Sequence, residues 1–346
     1  METGYLLGVD FQTWWYLVIG ATFTAYAILD GFDLGAGVLH LFFKKDLSRR
    51  IALNAVGPFW DGNEVWLVIT GGALFAGFPI VYASAFSAFY VPFMLLLAAI
   101  IGRAISIEFR SKEPMKWWRQ FWDVSYSLSS LVIIVLLGVA LGNVIIGLPL
   151  NEQQEFHGEL LFFLKPYPIL IGLTLVGLYA LHGAVFLSMK TEGRLYAKLT
   201  SMIRWSLRIF LTLFALLSLI TVIFYPQFIA RMEVHPWLFV VPLLVMILLV
   251  LLAKWVKKKK YPLAFAASSL IIALMMMLVF IQQFPLLLPS TNPDVAGLDI
   301  YNSASSTKTL KILLTIAAIG VPLIALYFGF VYKTFKGKVE MDETSY

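Results

Sequence analysis

Apolar residues in this chain come in long blocks, separated by short stretches where charged residues, proline and glycine collect. A block of about 20 apolar residues is long enough to cross the hydrocarbon of a bilayer as a helix. The pattern predicts nine such helices, near 13–43, 54–78, 81–109, 123–148, 168–189, 203–224, 236–256, 262–285 and 309–331. Several exceed the minimum, which implies tilt or extension beyond the hydrocarbon. The expected fold is an all-α polytopic membrane protein, one membrane domain over residues 1–346 with nine transmembrane helices.

Composition agrees and excludes other classes. Of the 346 residues, 60% are hydrophobic and 13% charged, against roughly 45–50% and 25% in a soluble domain. The mean hydropathy of +0.85 is equally far from a disordered chain, which needs low hydrophobicity and high net charge. With no cysteine, disulfides, thiolate metal sites and cysteine nucleophiles are excluded within this chain.

The net charge of +6 is explained by orientation rather than by nucleic-acid binding. If the nine helices alternate across the membrane, only Lys165, Arg231, Lys308 and Lys311 fall on one side, and the other 22 of the 26 Lys and Arg fall opposite. The positive-inside rule then puts the N-terminus outside and the C-terminus inside. Glu2 and Asp10 give the N-terminus an acidic character, so no cleavable signal peptide is expected. The inside loops are too short for a soluble catalytic domain. The longest outside connection, about 286–308, is rich in Ser, Thr, Asn and Pro.

Candidate chemistry concentrates in the first three helices. In Asp30-Gly-Phe-Asp33-Leu-Gly-Ala-Gly37, two aspartates three residues apart share a helix face. Asp33 would lie about 16 Å and Asp30 about 21 Å from the basic end at Lys44. Helix two repeats the theme in Trp60-Asp61-Gly-Asn63-Glu64-Val-Trp66. If the first two helices are antiparallel neighbours, the four carboxylates form a staggered ladder from the cytoplasmic surface past the bilayer midplane.

Charges at a helix centre cost roughly 2.5–3.5 kcal/mol each to insert. A series of them suits a proton relay, in which each protonatable group hands a proton to the next. The alternative is that single members act as neutral, hydrogen-bonded helix glue or as ion-pair partners. Helix three adds Arg103, at a depth that suits a structural ion pair with Asp61 or Glu64, and Glu108, solvated near the interface or at the mouth of a proton path. Gly31, Gly35, Gly37, Gly71 and Gly72 are read as sites of close helix packing.

Four histidines are too few for a multi-haem protein. Only His40 and His182 fall inside helices, where packing or hydrogen bonding explains them as well as axial ligation does. The pairs Trp14-Trp15 and Trp117-Trp118 fall at helix ends, where interfacial aromatics are expected. Leu181-His182-Gly183 loosely echoes Leu29-Asp30-Gly31, a weak sign of a diverged duplication.

Several of these segments resemble subunit II of the cytochrome bd quinol oxidases: residues 30–37, Arg49-Arg50, the run Pro58-Phe-Trp-Asp-Gly-Asn-Glu-Val-Trp-Leu67, and Gly71-Gly-Ala-Leu-Phe-Ala76. Phe109-Arg-Ser-Lys112, Gly142-Asn143 with Gly147, Phe284-Pro285 and Pro289-Ser-Thr291 follow in the same order. Glu64 departs from the pattern, standing where other members carry glutamine.

The resemblance implies a complex of the bacterial cytoplasmic membrane that oxidises quinol and reduces dioxygen to water. Two b-type haems and haem d would sit in the partner subunit I, with none bound directly by this chain and with space for a quinone or lipid within it. It also implies two four-helix bundles (helices 1–4 over 13–148, helices 5–8 over 168–285) and a peripheral helix over 309–331. The chain would stabilise subunit I, with a small single-span accessory subunit as a further partner. Asp30, Asp33 and Asp61 match the family's acidic positions, and Glu64 and Glu108 extend the proposed path, with Arg103 as supporting ion pair. The competing reading is an autonomous proton-coupled transporter; the second half lacks a matching acidic pair, which counts against it.

Overall fold

A computed structural model describes residues 5–341 of the chain; Glu2 lies outside them. Twelve α-helices run in order: α1 (Phe11–His40), α2 (Asp46–Val56), α3 (Trp60–Gly77), α4 (Pro79–Ala88), α5 (Tyr90–Phe109) and α6 (Lys116–Ile146). They continue with α7 (Pro166–Lys190), α8 (Gly193–Phe224), α9 (Gln227–Val234), α10 (Val240–Lys257), α11 (Tyr261–Gln283) and α12 (Thr307–Thr334). Among the described residues, eight helices are long and apolar enough to cross a membrane: α1, α5, α6, α7, α8, α10 with the 3-10 turn before it, α11 and α12. The protein is an all-α, multi-pass membrane fold.

The expected second helix differs most. Gly57 and Pro58 interrupt it, because proline lacks an N–H and clashes with the preceding turn. The short amphipathic α2 therefore ends at Val56, and α3 starts afresh at Trp60. At 18 residues, with Asp61, Asn63 and Glu64 in its first turns, α3 is less apolar than the other eight. The expected third helix is likewise divided at Phe89, between α4 and α5. Helix α8 begins ten residues before its expected start, since its first three turns are amphipathic and lie outside the apolar block.

The centre of the molecule is the crossing of α1 and α7, both of which also contact α6 and α11. Glycine lets the two backbones touch. A Cβ on Gly35 would stand 1.8 Å from the carbonyl oxygen of Tyr179, and one on Gly183 would stand 2.5 Å from the nitrogen of Ala36. Gly37 is as confined, against Ser130 of α6. Gly71 and Gly72 are not packing sites: nothing lies within 4 Å of where their Cβ would be. They face outward from α3, a direction that spacing alone does not disclose.

Around that crossing, Phe32, Leu34, Leu181, Ala184, Phe186 and Ile271 form part of a fully enclosed core. At the opposite extreme, α12 has one buried residue, Leu310, and borders the bundle. The chain beyond it turns back under α7, where Lys338 Nζ donates to the carbonyls of Thr191 (2.9 Å) and Ser188 (3.4 Å). A cation at carbonyls left over by a helix C-terminus is favourable.

The connections expected outside are knitted together. The segment after α11 forms a small antiparallel pair, β3 (Leu286–Leu288) and β4 (Leu298–Asp299), after the N-terminal pair β1 (Tyr5–Leu6) and β2 (Val9–Asp10). Leu148 exchanges backbone hydrogen bonds with Pro289 and Thr291, and Ser305 N–H donates to the carbonyl of Gly77. Trp15, expected at the interface, is buried instead. Its indole donates to the carbonyl of Ala73 at 2.9 Å, over the space that Gly77 leaves open. Trp117 is exposed, as its helix-end position suggests.

Candidate functional site

Three helices bring buried polar groups together. Asp30 and Asp33 lie one turn apart on the inward face of α1, and both are fully buried. Arg103 enters from α5, also fully buried. Its Nη2 donates to Asp30 Oδ1 at 2.6 Å and its Nη1 to Asp30 Oδ2 at 3.1 Å, a bidentate pair. Glu64 of α3 adds a second carboxylate, with Oε2 3.7 Å from the same Nη1. Beside them the Asn63 amide donates to Asp33 Oδ2 at 2.7 Å and to the carbonyl of Leu29 at 3.1 Å. The result is one guanidinium among three carboxyl groups within the membrane-spanning bundle.

This is a cluster rather than the expected ladder. Arg103 pairs chiefly with Asp30, which spacing did not suggest, and secondarily with Glu64. Asp61 is exposed on the outside of α3 and takes no part. At about 100° per residue, the position that points Asn63 inward turns Asp61 roughly 200° away. Glu108 is half-buried near the end of α5, five residues beyond Arg103.

A second cluster, missed from the sequence, closes one end of the bundle. Asp123 of α6 is buried and surrounded. His40 Nε2 lies 2.5 Å from its Oδ1, Arg49 Nη1 donates to Oδ2 at 2.7 Å, and Arg110 Nε donates to Oδ1 at 2.6 Å. Arg110 also reaches Asp46 at 2.8 Å, as does Arg119 at 3.2 Å. Burial works against the Arg110 charge, but the hydrogen bonds and charges of Asp123 and Asp46 prevail and hold its pKa above the ordinary value. Counted only as positive-inside residues, these arginines gave no sign of a shared partner. Asp123 is the signal that was available: an acid beside a basic stretch, where the sequence pattern started its helix.

Of the two histidines inside helices, His182 has no nitrogen free for haem ligation. His182 uses both ring nitrogens, with Nδ1 2.7 Å from the Ser268 hydroxyl and Nε2 3.1 Å from the carbonyl of Ile28. Phe265 stacks flat on the ring, 4.6 Å between centroids. His40 has Nε2 engaged with Asp123 and its ring edge-on to Tyr126. Among the described residues no group of three or more His, Cys, Asp or Glu is placed to hold a metal ion.

A cavity of about 510 Å³ opens in the other half of the molecule, between α6, α7, α8, α10 and α11. Its walls are apolar, including Ile171, Phe214 and Met276, with Thr174, Gln282 and Gln283 as polar groups.

The family model described as cytochrome bd terminal oxidase subunit II matches residues 11–335. The chain belongs to that family. It is 31% identical to cytochrome bd-I ubiquinol oxidase subunit 2 of Escherichia coli strain K12, over 95% of each chain. It is 30% identical to cytochrome bd ubiquinol oxidase subunit 2 of Bacillus subtilis strain 168, over 95% of this chain and 97% of that one. A solved chain of the bd oxidase from Geobacillus thermodenitrificans has the same fold, with a TM-score of 0.78 at 18% identity over 94% of this chain and 98% of the other. This subunit II is thus a multi-pass protein of the cytoplasmic membrane and part of a quinol oxidase complex. The transporter reading gives way to that assignment.

Proposed function

We propose that this chain stabilises a haem-bearing subunit I and supplies protons from the cytoplasm to the site where that partner, with two b-type haems and haem d, reduces dioxygen. Reduction of one O2 to two waters takes four electrons and four protons. Two quinols deliver the electrons and release their own four protons. If the consumed protons come from inside and the quinol protons leave outside, charge is separated across the membrane without a pump.

The observation that carries this reading is the Asp30–Arg103–Glu64 cluster with Asp33 beside it: three fully buried ionisable groups on two apolar spans, and the half-buried Glu64 of α3 against them. Intramembrane ionisable groups mark ion and proton pathways by default. With one guanidinium among three carboxyl groups, a proton can be gained or lost while the net charge stays near neutral. Asp61, outward on α3, is the member left to face the partner, and Glu108 lies toward the basic end.

The same reading includes nine crossings, with α3 as the one beyond the eight apolar spans, the N-terminus outside and the C-terminus inside. It groups the first four crossings and the next four as bundles joined at α1 and α7, with α12 peripheral. The apolar cavity between α6 and the second bundle suits the quinone or lipid that the resemblance allows. Its volume is within the roughly 300–1,000 Å³ of small-molecule pockets. Lipid and the small accessory subunit would cover the remaining exposed faces.

The test is Asp33→Asn in the assembled oxidase, which keeps shape and the neighbouring amide. Oxygen uptake and charge movement are expected to fall roughly tenfold, a barrier rise of about 1.4 kcal/mol, with haem content unchanged. Parental rates of both would remove the proton role.

A further inference from the structure

A buried polar atom without a hydrogen-bond partner is costly, and native proteins commonly set ordered water beside it. Three such atoms lie beside one face of α1, two from that helix and one from α6. His40 Nδ1, the Tyr126 hydroxyl and Asp33 Oδ1 are all buried and have no partner among the described residues. His40 and Asp33 are seven residues apart on one face, about 10 Å along the axis. Gly37 lies between them, and a Cβ built there would stand 3.4 Å from Tyr126 Cζ, the carbon that bears the hydroxyl. Toward the other end the Tyr126 ring meets the His40 imidazole edge-on, with centroids 5.1 Å apart. The tyrosine therefore stands between the Asp123 cluster and the acids around Arg103. Ordered water beside these unpartnered atoms would join them by ordinary hydrogen bonds of about 2.8 Å.

We propose that Asp123, His40 and Tyr126, with internal water between them, carry protons from the basic end of the bundle to Asp33, as a second inlet besides the one at Glu108. The proposal rests on the reading of the buried acids as a proton route. A proton arriving from the basic end at Asp123 passes to His40 Nε2, and the imidazolium so formed releases the one on Nδ1. Asp123 also balances the imidazolium, and Arg49 and Arg110 keep that carboxylate in position. From Nδ1 the proton passes to the adjoining water. The Tyr126 hydroxyl gives its own proton onward and is refilled from that water, and Asp33 Oδ1 receives one. Only N–H and O–H bonds break and form, and one proton has moved.

Gly37 is what makes room for this arrangement. Any side chain there would collide with Ser130 and press on Tyr126.

The experiment uses the assembled oxidase. Tyr126→Phe removes one oxygen and keeps the ring against Gly37 and His40, so assembly and the haem spectrum are expected to be retained. Oxygen uptake and charge movement should fall roughly three- to tenfold, below the 10²–10⁴-fold of a full acid–base contribution, because the entry at Glu108 still admits protons. The solvent deuterium isotope effect should rise. His40→Gln should show the same losses, partly restored by added imidazole. Parental turnover and isotope effect in Tyr126→Phe would overturn the inlet. If Asp33→Asn still slowed that oxidase, the acid cluster would survive as the route and only this inlet would fall. If Asp33→Asn were also silent, both readings would fall. Should His40→Gln fail to assemble, Tyr126→Phe decides alone.

Discussion

Where α1 and α7 cross, Gly35 lies on the backbone of Tyr179 and Gly183 on that of Ala36, and each helix carries a polar residue nearby: Asp30 on one, His182 on the other. The surroundings diverge from there. On the α1 side, α3 and α5 contribute Asn63, Glu64 and Arg103, all charged or strongly polar, and several of their buried atoms lack partners. On the α7 side, α11 contributes Ser268 and the flat face of Phe265, and both nitrogens of His182 are satisfied. A closed, neutral set of hydrogen bonds explains itself as structure. A partly satisfied set of ionisable groups is costly to keep in the membrane, and proton movement is a function that needs such groups.

The contrast can be broken from either side. The largest effect is expected from Arg103→Leu, which leaves Asp30 and Glu64 buried without a counter-charge. Removing one partner of a buried pair costs about 3–5 kcal/mol, so the thermal midpoint and haem yield of the purified oxidase should collapse. Near-parental stability would mean that the cluster is neutral glue. Next comes the crossing itself. Gly35→Ala drives a methyl into a backbone oxygen that cannot rotate away, at a cost of about 1–3 kcal/mol or more, whereas Gly71→Ala on open surface should leave the midpoint unchanged. Equal behaviour of the two would contradict the packing. The smallest effect belongs to His182→Leu, which keeps volume and loses two hydrogen bonds, about 1 kcal/mol each. The midpoint should drop by a few degrees while turnover per assembled complex holds. A loss of turnover would give the second half a proton role after all.

Much of the site was legible as residue types and little of it as partners. Asp30, Asp33, Arg103 and Glu64 stand out because charged residues inside apolar blocks are rare. That Asp30 rather than Asp61 takes the guanidinium depends on how α3 is rotated, and a helix interrupted at Gly57-Pro58 does not carry its phase across the break. The Asp123 cluster was illegible for a different reason. Its members come from the ends of α1, α5 and α6 and from α2, each ordinary in its own segment, and only the bundle's geometry joins them.

Sequence by itself determined the membrane class, the number and placement of most apolar segments, and the family, because hydrocarbon imposes length and apolarity on every crossing segment independently of its neighbours. Only the tertiary structure decided which acid meets Arg103, which glycines touch another helix, and that Tyr126 stands between His40 and Asp33. Those outcomes follow from rotation and contact between helices distant in the chain, which no local pattern encodes.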